Sequence, residues 1–182
     1  MIKLAGFIPE ITTRVTVKVH SEAIDEAISR VESDKFLSQC PSIAEKLRQK
    51  KEQLDGLEEP VAHAVAETLQ SNQEIIISTK HYITGMMAGS VDITQDGRDY
   101  LVGNTATSVD GFPYPLAIET GRREVFPVEK KVLRWFEGGD FSKPVFARHS
   151  SAVPADPFVQ PSIDDTIYDI ERIVSDQVKL IK

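Results

Sequence analysis

A chain of 182 residues, 41% of them hydrophobic, suits one domain, or one domain with a helical appendage, around a modest core that leaves part of its burial to neighbours. Its formal charge of −7 and pI near 5.1 argue against a general binder of nucleic acid or of anionic membranes. The single cysteine, Cys40, excludes an internal disulfide, a CxxC motif and a thiolate metal cluster, and favours an intracellular setting.

The N-terminal apolar patch is broken by Pro9 and is too short for a signal peptide. No later stretch approaches the length of a membrane span, so a soluble protein made in a cytoplasm is expected. Thr12–Val19 alternates, with Thr13, Val15, Val17 and Val19 on one face and Arg14, Thr16 and Lys18 on the other. That is an antiparallel strand with one wet face. Ser21 is positioned to cap a short helix whose first turns carry Glu22, Asp25 and Glu26 and whose stripe is Ala23, Ile24, Ala27, Ile28 and Val31. Residues 33–56 are the least core-like part. Pro41 suits a first helical position, and EKLRQKKEQLDG is charged on nearly every side. That run reads as a solvated helix or mobile excursion before it reads as a partner's contact face, with Gly56 as its stop.

Glu58–Glu59–Pro60 opens the next helix, with proline at its first position and Val61, Ala62, Val65, Leu69 and Ile76 as its stripe. Ile75–Thr79 is β-branched, but the helical period holds and no Gly or Pro intervenes. His81–Thr94 then joins helix to sheet: Thr84 as N-cap, Gly85 at the turn, Met86, Met87 and Ala88 as one apolar helical turn, Ser90 closing it, and Val91 and Ile93 entering a strand. Gln95–Arg98 reads as a hairpin turn, Asp-Gly being the preferred pair, and Tyr100–Val102 returns to Gly103–Asn104. Ala106–Pro113 is a loop, and Tyr114–Gly121 is short and apolar, ending in a glutamate and a glycine. Val125–Phe136 and Val145–His149 resemble two strands joined by a turn at Glu137–Asp140. Asp156–Phe158 opens a last helix with Pro161 near its start and Ile163, Ile167, Ile170, Val174, Val178 and Ile181 as its apolar stripe. The whole is read as a single α+β domain, 1–182. An antiparallel sheet of about four to five strands is packed by a long central helix and a C-terminal helix.

Candidate chemistry is sparse. The four histidines are far apart, and zinc needs at least three converging ligands. His149–Ser150–Ser151 invites a hydrolase reading without a nucleophile elbow, and Asp164, Asp165 and Asp169 invite a divalent-ion site that the helix dipole already explains. Glu119 lacks a second acid or histidine in sequence and is read as structural or interfacial. Arg122, Arg123, Lys130, Lys131 and Arg134 form the only basic cluster, suited to an acidic neighbour. Neither catalysis nor a cofactor is expected. A small metal-dependent hydrolase or nuclease, or a non-viral scaffold subunit, is the alternative class.

Three stretches, in order, resemble the head–tail joining (neck, or tail-completion) family of long-tailed phages. They are Thr84–Gly85–Met86–Met87 leading to Ser90–Val91, then Tyr114–Pro115–Leu116–Ala117–Ile118–Glu119–Thr120–Gly121, then Pro154–Ala155–Asp156–Pro157–Phe158 followed by Pro161. The chain departs from the pattern at Met87, where leucine is commoner, at Ser162, where alanine is usual, and in the length of 123–148. The resemblance implies a non-enzymatic virion protein encoded by a virus or provirus and made in the host cytoplasm. It would form a ring, a hexamer or larger, between the head connector or closure protein and the tail terminator or tube, open for DNA to pass. The loop 106–113 and the tip at Gly138–Gly139 are the expected contacts to neighbours.

Overall fold

The computed structural model describes residues 2–5, 11–80, 86–107, 113–127, 131–136 and 144–180. Four strands form one antiparallel sheet in the order β1 (Ile2–Ala5), β2 (Ile11–Val17), β4 (Asp99–Asn104), β3 (Val91–Asp96). Strand β1 extends the expected sheet; four residues are too few to show a period. In the register Thr13 faces Val102, which faces Ile93, and Val15 faces Tyr100. Ile11, Thr13, Val15, Val91, Tyr100, Val102 and Asn104 are buried on one face of this sheet. The alternation read from β2 therefore does face a core.

That core is covered by α3 (Glu58–Lys80), whose buried residues are Val61, Ala62, Val65, Ala66, Leu69, Gln73 and Ile77. Helix persists through the β-branched run because every third or fourth residue there, Gln73 and Ile77 included, is buried against the sheet and its approaches. The inward isoleucine is Ile77; Ile76 is half-buried and Ile75 exposed. Pro60 stands third in the helix, still within the first turn, where a missing N–H costs nothing. Helix α5 (Val159–Lys179) packs on α3 and adds Ile173 to the same core. Its buried positions are Ser162, Thr166 and Ile173, not the expected isoleucine stripe. Ser162 and Thr166 are small, and their hydroxyls donate to Val159 O and Ser162 O at 2.7 Å, so the helices meet there without stranding a polar group. Asn72 Nδ2 donates to Thr166 Oγ1 at 3.0 Å across the contact. Ile167 and Val178 are left exposed, and Ile163 and Val174 are half-buried at the edge of the core.

Helices α1 (Glu22–Ser33) and α2 (Pro41–Asp55) form a hairpin that packs chiefly on itself. Ser21 makes no side-chain cap, and Val31 is the only buried residue of α1. The charged excursion is thus helical. Ala44 is buried, Lys51 Nζ meets Asp25 at 2.7 Å, and Arg48 pairs with Glu32. Gly56 ends α2 in a right-handed conformation. Across the β3–β4 hairpin Asp96 pairs with Asp99, so Gly97 and Arg98 are the central residues. Gly97 has φ 65° and Arg98 is not left-handed, the pattern of a turn that wants glycine first; Asp96 belongs to the strand instead of the turn. The two facing aspartates would repel, and Arg14 from β2 bridges both at 2.9 Å.

The remaining strands, β5 (Leu133–Phe136) and β6 (Pro144–Ala147), make a separate two-stranded sheet. The expected strand from Val125 is shorter because Arg122 and Val125 make single bridges to Val153 and Ser150 instead of a continuous ladder. Residues 122–127, 131–136 and 144–153 thus form a flap, whose strands β5 and β6 make at most marginal contact with α5 among the described residues.

Candidate functional site

Two of the stretches that carry the family resemblance meet in space. Tyr114–Thr120 is a short helix, α4, with Pro113 at its N-cap and Pro115 buried in its first turn. Its seven residues are too few for a helical period to be visible in sequence. Leu116 and Ile118 pack against the main core. Glu119 Oε2 accepts from the backbone N–H groups of Phe158 and Val159 at 3.0 and 3.2 Å, so the α4 carboxylate supplies the cap that the first turn of α5 lacks.

Gly121 follows at φ 73°, ψ 174°, a conformation that only glycine adopts readily. A Cβ there would lie 2.7 Å from Ala155 N and 2.8 Å from Val153 O. Paired bonds of 2.9 Å between Arg122 and Val153, and one from Asp156 N to Ile118 O, hold the two strips together. Phe158 is fully buried at the centre of the join. Pro157 is exposed just before α5, and Pro161 sits third in α5, where no intrahelical N–H is required.

The third stretch is described from Met86 onward; Thr84 and Gly85 lie outside the described residues. Met86–Ser90 makes the expected tight turn into β3, Ser90 Oγ donating to Met86 O at 2.6 Å. Two amides that the sequence did not single out fasten it. Buried Asn104 donates to Met87 O at 2.8 Å, and Gln70 on α3 to Val91 O at 2.6 Å. An asparagine closing a strand looks like turn punctuation, which is why its inward role is invisible beforehand. Gln73, one turn on from Gln70, is buried with neither amide atom hydrogen-bonded.

The basic cluster divides. Half-buried Arg122 donates to Ser150 Oγ at 2.5 Å and so serves the flap. Arg123 and Lys131 are exposed, joined by Arg148 from beyond β6. Arg134 lies in β5 opposite Phe146. Lys130, Gly138 and Gly139 lie outside the described residues, as does 108–112 of the loop, whose ends are tied by a bridge between Thr107 and Pro113.

The other candidate groups are engaged separately. His149 Nε2 lies 3.3 Å from Glu124 and its ring stacks on Phe126, whereas the Ser150 hydroxyl accepts from Arg122. Asp164 accepts from Gln160, and Asp169 pairs with Arg172 at 3.1 Å. Among the described residues no three metal-binding side chains converge, and no helix is long and apolar enough to cross a membrane. Compared with family models, curated proteins and solved structures, the chain matches none.

Proposed function

We propose that the chain is a structural subunit of the joint between head and tail in a long-tailed phage or provirus. What supports this reading is the α4–α5 junction. Glu119 and Phe158, 39 residues apart in sequence, belong to two stretches that resemble the neck family, and they close on one another. Stretches that build one structural unit carry more weight as a motif than the same residues scattered over the surface.

In this reading, copies of the chain form a closed ring through heterologous contacts, a hexamer or larger. The ring lies between the head connector or closure protein and the tail terminator or tube, and DNA passes through its centre. A net charge of −7 suits such a conduit, because extensive phosphate contacts would hold a moving duplex back. The subunit works by shape and association and uses no cofactor. Gold-labelled antibody against the chain, applied to purified particles, is expected at the point where head meets tail. Label spread over heads or along tails, or none on any particle, would overturn the assignment.

A further inference from the structure

The outward face of α5 does not match its surroundings. At about 100° per residue, Asp164, Ile167, Tyr168, Glu171 and Val178 share one side of the helix, roughly opposite Ser162, Thr166 and Ile173. Ile167 is 52% exposed, Tyr168 91% and Val178 48%. A face turned wholly to water is ordinarily polar throughout. Here three large apolar side chains stand among acids, and α5 carries five acids against two bases.

The flap shows the opposite combination. Val125, Phe126 and Val132 are exposed, Phe126 to 61%. Arg123, Lys131 and Arg148 in the same segments are also exposed, outnumbering the exposed acid there, Glu124, which pairs with His149. One surface is apolar with mostly acidic neighbours, the other apolar with mostly basic ones, and among the described residues α5 makes at most marginal contact with the flap strands β5 and β6.

From this complementarity we infer that α5 of one copy docks on the flap of a second copy. Apolar side chains would fill the centre and opposite charges the rim, as specific interfaces are built. The two surfaces differ, so the contact is head-to-tail, and repetition closes a ring when the rotation allows. The inference deepens the neck reading and rests on its ring.

Two charge-reversed variants test it by sedimentation of the full chain over a range of concentrations. Asp164→Lys with Glu171→Lys makes both surfaces positive; Arg123→Glu with Arg148→Glu makes both negative. Each variant alone is expected to self-associate about tenfold more weakly than the parent, with an unchanged far-ultraviolet spectrum showing that it folds. An equimolar mixture is expected to recover association, because each positive surface then meets a negative one. Undiminished association of both variants, or a mixture no better than its parts, overturns this contact while leaving a ring through other surfaces standing. A parent chain that stays monomeric at every concentration overturns the contact too. The gold label at the neck judges the wider reading independently of either result.

Discussion

Glu119 Oε2 lies 3.0 Å from the backbone nitrogen of Phe158 and accepts its hydrogen. The carboxylate of one short helix thereby caps a long one, and a fully buried aromatic ring sits beneath the bond. Removing the acceptor leaves two backbone donors of α5 short of a partner. Glu119→Ala is expected to cost about 1–2 kcal/mol in urea unfolding, the usual worth of a lost cap. Glu119→Gln keeps an oxygen but not the charge and should lose less than half of that. Equal losses from both would mean that charge alone matters at this end of the helix.

Gly121 is held more severely. Its backbone lies in a region reserved for glycine, and backbone atoms of Val153 and Ala155 occupy the space of a Cβ. Gly121→Ala should destabilise by about 3 kcal/mol or more. Gly89, with open space around it, provides the control, and Gly89→Ala should stay within about 0.5 kcal/mol of the parent. Thermal unfolding of the pair decides; a mild Gly121→Ala would show that the 153–155 strip yields easily.

Gln73 predicts a gain. A buried amide without partners carries a desolvation penalty that an apolar side chain of similar length avoids. Gln73→Met is expected to raise stability by about 1 kcal/mol, read as a higher midpoint in urea. A lower midpoint would show that the amide is solvated inside the core.

The response to acid follows from Asp99 and Asp34. The hydrogen bond from Arg14 holds the Asp99 carboxyl below the usual carboxylate range, and the backbone N–H groups of Leu37 and Phe36 do the same for Asp34. Depressed carboxylates add stability that is complete above their unfolded value and is lost as pH falls through the folded one. Stability should therefore decline below about pH 4, and the gap between parent and Asp99→Asn should narrow over that range. A gap that stays constant down to the acid transition would contradict the Arg14 bridge.

How much of this was legible in the sequence differs from element to element. Strand β2 and helix α3 announced themselves because burial on one face imposes a period, and the period outweighed the β-branched residues at 75–79. Helix α5 was legible as a helix, but its facing was not. The sequence shows where the isoleucines lie, and the packing against α3 uses Ser162 and Thr166, which look like surface residues. The hairpin was evident from Asp-Gly, though only the pairing of Asp96 with Asp99 assigns the turn to Gly97–Arg98. At the candidate site, Glu119, Gly121 and Phe158 drew notice one at a time. Their joining depends on contacts between distant segments, which no local pattern encodes.

The most direct measurement is electron microscopy of particles produced with this gene deleted and, in parallel, restored from a plasmid. Filled heads lying apart from finished tails, rejoined on restoration, are expected of a subunit of the joint. Normal infectious particles without the gene would contradict that role and confine the resemblance to shape.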